Sequence, residues 1–269
     1  MRNDKSVYLQ ALHTPASPTV PNQAGSAACT VCEHRKSYTK KKMLVAQGIN
    51  KHYGNLQVLQ DIDLTVHKGE VVAITGASGA GKSTLLHVLA TLERPDGGML
   101  QLDGTDLLAL QGKKLASFRN HSIGFVFQLY NLLPEFTTLE NVCMPGYIRG
   151  DIKNEVEDRG RSLLALLNLS DRSQHKPAAL SGGEQQRVAV ARALINSPKI
   201  VFADEPSGSL DSRNAAALYT LLFELRDKTG QTFVLATHDQ ALADMTDRQL
   251  LIQDGKLVSE SISSRANAW

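Results

Sequence analysis

The sequence is poor in cysteine, in long apolar runs and in charge of one sign, and each lack closes off a class of function. Three cysteines, Cys29, Cys32 and Cys143, are too few and too unevenly placed for a disulfide framework, so a reducing cytoplasm is the expected setting. No uninterrupted apolar run approaches the ~18 residues of a membrane-spanning helix, and any dealings with a membrane are expected to go through a partner. The 269 residues carry 29 Lys and Arg against 27 Asp and Glu. Even that small excess is local: residues 1–42 hold seven basic against two acidic residues, and the rest 22 against 25. A nucleic-acid-binding face needs basic residues clustered across a folded surface. The body has no such cluster, and no nucleic-acid partner is expected. With 42% hydrophobic and 21% charged residues, the chain has ordinary globular composition, and one α/β domain with room for a small subdomain is expected.

Residues 1–42 are rich in Ser, Thr, Pro, Ala and Lys, lack a sustained apolar period and read as a disordered tail. Met43 stands immediately before the first strand-like run, so a second reading stays open in which 1–42 are a mis-started upstream extension. Either way, 43–269 is expected to be one domain. No hydrophobic segment leads into a small-residue cleavage site, so a secretory signal is not expected. Cys29, Cys32 and His34 in "CTVCEH" have the C-x2-C spacing of half a zinc site, but no second ligand pair follows at a fitting distance.

What is present begins with "VVAITGASGAGKSTLLHVLATL", a β-branched strand running through a glycine-rich turn into an amphipathic helix. Gly76, Ala77, Ser78, Gly79, Ala80, Gly81, Lys82 and Ser83 match G-x-x-x-x-G-K-[ST], with Thr84 next in the helix. Glycines let a backbone wrap an anion, successive N–H groups point inward, and the helix start adds the positive end of its dipole. Lys82 is placed to reach the β- and γ-phosphates of a nucleotide and Ser83 to ligate Mg2+. "PKIVFADEP" supplies the companion, an apolar strand ending in Asp204, suited to hold the metal, and Glu205, suited to polarise an attacking water. "LSGGEQQRVAVARALINSP" adds a second anion-binding helix start at Ser181, Gly182 and Gly183. One nucleotide already wrapped by the first cradle has little use for a second from the same domain, so a second copy of the chain is expected to present its own.

With Gly76–Ser83, Leu180–Glu184 and Asp204–Glu205 in this order, and with Tyr53, Gln128, "SGSLD" ending in Asp211 and "THD" containing His238, the chain from about Met43 to about Glu260 strongly resembles the ATP-binding subunits of ABC transporters. The resemblance implies a P-loop ATPase of α/β class, with a mainly parallel core sheet, an antiparallel β subdomain and a helical subdomain over about 129–195. It implies that Tyr53 stacks on adenine, that Gln128 senses Mg2+ and the lytic water, and that His238 contacts the γ-phosphate. Ser181, Gly182 and Gly183 would clamp the ATP of the opposite copy, with Asp211 at the seam between copies. Membrane permease subunits are the implied further partners, with this subunit peripheral on the cytoplasmic side of the inner membrane. Relatives usually carry Thr and Asn where Ser207 and Ser209 stand, and Arg or Lys where Gln185 stands. Soluble ATPases of the superfamily that act on chromosomes or ribosomes carry long insertions or two cassettes, and this chain has neither.

Strands are expected over 44–50, 58–66, 71–75, 99–103, 122–127, 199–203 and 232–237, and helices over 82–92, 106–118, 153–167, 182–195 and 212–228. Residues 248–259 read as a closing hairpin around Asp254 and Gly255. The segment "FVFQLYNLLPEFTTLENVCMP" raises its own question, because Leu132, Leu133 and Phe136 follow one glutamine where Asn131 and Pro134 oppose continuous structure. It resembles the branch of the family that serves lipoprotein release and antibiotic or peptide extrusion. Release of lipoproteins from the inner membrane is the expected role, and macrolide or peptide export the alternative. Leu132, Leu133 and Phe136 are expected to line a groove for a short helix of the membrane partner.

Overall fold

The computed structural model of the chain describes residues 41–262. The Cys29, Cys32 and His34 cluster and almost all of the expected tail lie outside those residues.

Two 12-residue strands open the body. β1 (Lys42–Tyr53) and β2 (Leu56–His67) pair antiparallel, with Leu44, Ile49, Ile62 and Val66 fully buried. With β4 (Gly97–Leu102) and the short β5 (Thr105–Asp106) they make an antiparallel sheet in the order β2-β1-β4-β5. The larger sheet takes β3 (Val71–Thr75), β6 (Ile123–Val126), β7 (Ile200–Asp204), β8 (Thr232–Ala236), β9 (Arg248–Gln253) and β10 (Lys256–Ile262) in the order β10-β9-β3-β8-β7-β6. Every pairing in it is parallel except the closing hairpin β9–β10. Strands such as β7 and β8, buried at every position, are what a parallel sheet covered on both faces requires. The expected parallel core, antiparallel sheet and hairpin at Asp254–Gly255 are all present.

The helices among the described residues are α1 (Lys82–Leu89), α2 (Gly112–Ser122), α3 (Thr138–Arg149), α4 (Lys153–Leu166), α5 (Gly182–Leu194), α6 (Ser212–Thr229) and α7 (Gln240–Met245). Two apolar clusters divide the interior. One lies between the two sheets and takes in Leu85, Leu86, Val88 and Leu89 of α1; the other gathers α3, α4, α5 and α6 around Val142, Leu164, Val190 and Leu222.

Several expectations are corrected. The helix expected over 106–118 begins only at Gly112, because Leu107 donates its N–H to Leu100 O and continues the antiparallel pairing instead. Helix α1 stops at Leu89 rather than 92, since Thr91 adopts a left-handed φ of 58°. Helix α3 lies within the block expected to be helical over about 129–195, with Pro145 inside it, and the Pro145 carbonyl accepts from the amides of Asn120 and Asn196. Helix α7, six residues long, is too short to show a period.

Between β6 and α3 the chain is irregular, as Asn131 and Pro134 required. One buried side chain holds it. Asn141 Oδ1 accepts from Leu133 N (2.8 Å), and its Nδ2 lies within 3.1 Å of the carbonyls of Leu133, Phe136 and Thr137. We expect Asn141→Ala to cost about 2–4 kcal/mol in urea unfolding, the sum of one or two stranded backbone groups, and to make 131–137 more sensitive to protease. A loss below about 0.5 kcal/mol would mean that the amide does not hold the loop.

Candidate functional site

The site forms where β3, β6, β7 and β8 end on the same edge of the sheet, the position at which open parallel sheets bind ligands. After β3 the chain turns at Gly76 with φ 145°, and a Cβ there would lie 2.2 Å from the carbonyl of Ile252. Gly81 serves as N-cap of α1 without a side-chain cap, so the first-turn N–H groups of this helix take no side-chain acceptor. Lys82, 7% exposed, donates from Nζ to the carbonyls of Gly76 and Ala77, both at 3.0 Å, and lies 4.0 Å from Glu205 Oε1. Two glycines, an uncapped helix start and a buried ammonium make a cradle for a polyanion.

Ser83 Oγ donates to Asp204 Oδ1 at 2.9 Å. Burial pushes the Asp204 carboxyl above the usual carboxylate range, opposed by the Ser83 hydroxyl. Two hard oxygen donors beside a phosphate cradle fit Mg2+, which takes one or two protein oxygens and completes its shell from phosphate and water. Sequence reasoning missed His87, one turn beyond Ser83, whose Nε2 lies 3.7 Å from Asp204 Oδ2 and whose Nδ1 lies 3.5 Å from Glu93. Its i+4 spacing from Ser83 was the available signal.

Glu205 is buried and takes a left-handed φ of 43°, fixed by its N–H donating to Ala236 O at the end of β8. That geometry brings Oε2 to 2.9 Å from Nδ1 of His238, which follows β8. Gln128, exposed after β6, faces the same loop: its Nε2 lies 3.3 Å from where a Cβ on Gly208 would stand. Tyr53 closes the other side. Its ring is 46% exposed with Lys51 Nζ 5.2 Å from the centroid, and its hydroxyl donates to Glu93. Partial burial and the Glu93 carboxylate raise that hydroxyl's pKa, while Thr84 opposes the rise. The structure therefore gathers Tyr53, the Gly76–Thr84 cradle, Gln128, Asp204, Glu205 and His238.

A second group stands apart. Among the described residues no hydrogen bond or ion pair links Ser181, Gly182, Gly183 or Asp211 to the cradle. The start of α5 carries its own cap: Ser181 Oγ accepts from Glu184 N and Glu184 Oε2 accepts from Ser181 N, a reciprocal capping box. The N–H groups of Gly182 and Gly183 keep no acceptor among the described residues. Asn214, also missed, joins the group by donating from N and Nδ2 to the two Asp211 oxygens, 3.0 Å from where a Cβ on Gly183 would stand. Of the expected groove residues, Leu133 and Phe136 are exposed, whereas Leu132 packs against the helical core; Leu129, 73% exposed, takes its place on the surface.

Comparison with known proteins agrees with this geometry. A family model described as ABC transporter matches residues 59–208. The chain is 54% identical over 215 residues to the lipoprotein-releasing system ATP-binding protein LolD of Bacteroides thetaiotaomicron, covering 80% of this chain and 99% of that one. It is 52% identical over 218 residues to the protein of the same name in Porphyromonas gingivalis, covering 81% and 100%. Among solved structures, the dimeric bacterial ABC transporter cassette MJ0796 superposes with a TM-score of 0.76 at 37% identity, over 82% of this chain and 98% of that one. The same cassette is also known as a dimer in a post-hydrolysis state bound to ADP and Pi. A cradle at the ends of parallel strands, an acid pair beside it and a separate glycine-led helix start thus coincide with these likenesses: the chain belongs to the ABC transporter family, as one of its ATPase cassettes.

Proposed function

We propose that the chain is the ATP-hydrolysing subunit of a lipoprotein-releasing system, bound to the cytoplasmic side of the inner membrane through permease subunits. The observation that carries this is the identity of 54% and 52% with two proteins of that name, across almost their whole length. No helix among the described residues is long and apolar enough to cross a membrane, which accords with a peripheral role.

In this reading the Gly76–Gly81 N–H groups and Lys82 hold the triphosphate, and Tyr53 stacks on adenine. Ser83 and Asp204 hold Mg2+, with Gln128 reaching toward it. When bound, Mg2+ supplies positive charge to the β- and γ-phosphate oxygens. Glu205 accepts the proton of the attacking water, and His238, 2.9 Å from it, holds that carboxylate and meets the γ-phosphate. The Ser181–Gly183 helix start of one copy covers the ATP of the other, with Asp211 and Asn214 at the seam, so the working unit is a dimer.

Glu205→Gln is expected to bind ATP, to lose hydrolysis by about a hundredfold or more, and to accumulate as a nucleotide-dependent dimer on gel filtration. Turnover at the normal rate would remove Glu205 from the reaction. Leu133→Asp with Phe136→Asp should leave nucleotide affinity intact and weaken retention on membranes by at least about tenfold, as loss of two buried anchors does. Purifying the membrane complex through this subunit tests the cargo. ATP-dependent release of lipid-modified proteins from its vesicles is expected, whereas extrusion of macrolides or peptides with lipoproteins left in place would put the exporter reading in its stead.

A further inference from the structure

Glu205 and His238 sit at the tips of two separate loops, and the contact between them has to survive the motions of a working ATPase. Two further residues of those loops converge on one buried hydroxyl. Tyr219, on the second turn of α6 and 4% exposed, lies 2.5 Å from Ser207 Oγ, two residues past Glu205, and bonds to the carboxylate of Asp239, one residue past His238. An ionised carboxylate only accepts, so the tyrosine hydrogen goes to Asp239 and the Ser207 hydroxyl donates to the tyrosine oxygen. The bridge is well supported at both ends. Ser207 is 8% exposed and its carbonyl accepts from Leu210 N, while Asp239 also accepts from Ala241 N as the cap of α7.

We propose that Tyr219 is a positioning residue for ATP hydrolysis, its hydroxyl tying the Glu205 loop to the His238 loop so that the carboxylate and the imidazole stay in register. Among the described residues the hydroxyl's hydrogen bonds go to Ser207 and Asp239, and none goes to Lys82, Ser83 or Tyr53. Its loss should therefore act on turnover and leave ATP binding alone. Tyr219→Phe keeps the ring in the apolar cluster it shares with Leu218 and Leu222 and deletes one oxygen.

The proposal rests on Glu205 and His238 being the hydrolytic pair, and the experiment separates the two ideas. Steady-state ATPase rates are measured for the purified full chain, for Tyr219→Phe, Ser207→Ala and their double variant, and for Glu205→Gln, with melting temperatures alongside. Tyr219→Phe is expected to lower kcat about five- to tenfold, the worth of one hydrogen bond in a transition state, with KM for ATP changed less than about twofold. The double variant should be no slower than the slower single one to within about twofold, because both substitutions break the same bridge. An unchanged kcat in Tyr219→Phe, or a fall in melting temperature alone, would overturn the positioning role if Glu205→Gln is inactive. Full turnover by Glu205→Gln would instead remove the pair on which the proposal stands.

Discussion

A protein that grips a polyanion with main-chain N–H groups must hold that main chain still, and here the grip comes from backbone pressed on backbone. The phosphate loop is wedged between β2 and the turn that joins β9 to β10. Gly255 N donates to Ala80 O, Gln60 N donates to Gly255 O, and a Cβ on Gly255 would stand 2.3 Å from the carbonyl of Val58. Gly76 makes the same kind of approach to Ile252. No side chain fits at Gly76 or Gly255, so the two ends of the loop are held by backbone that cannot shift alone. The antiparallel sheet, the parallel sheet and the closing hairpin meet around this one turn. A hairpin that looks like an afterthought at the end of the chain is therefore a buttress of the cradle.

The helical part is tied in through side chains as well as through packing. Arg192 of α5 donates to the carbonyls of Tyr130 and Asn131, and the Tyr130 hydroxyl lies 2.8 Å from Ser209 Oγ. The irregular segment after Gln128 is thereby fastened to the helix that begins at Gly182 and to the loop that follows Glu205. Tyr130 and Leu132 also pack against the apolar cluster that joins the helices to the parallel sheet.

How much of this was legible depended on whether the chemistry dictated residue type. Wrapping a triphosphate demands glycine at Gly76, so the cradle could be read directly, and an all-apolar strand that ends in two acids marked Asp204 and Glu205. The misreadings came where identity and spacing carried two meanings. Leu107, Leu108 and Leu110 imitate a helical stripe, but Leu107 pairs with Leu100 as part of a sheet. Thr137 and Glu140 form a capping box at the start of α3, a signal that was present in the sequence and went unused. In an irregular segment no period says which of Leu132 and Leu133 turns inward; only the surface of α5 decides it. Tyr219 was invisible for a further reason, since its partners arrive from loops 12 and 20 residues away in opposite directions, and a buried tyrosine in a helix reads simply as core.

The capping box at Ser181 gives the second helix start a character that the first lacks. Where α1 opens with no cap of its own, α5 already satisfies one N–H with Ser181 and has Glu184 held by Arg172 at 2.9 Å. In that cap Ser181 Oγ only accepts, so its hydroxyl hydrogen stays free to donate to another molecule's phosphate. The helix start is thus held in shape before any phosphate arrives, and in the dimer proposed above Ser181 could keep its cap while it reaches the ATP of the other copy.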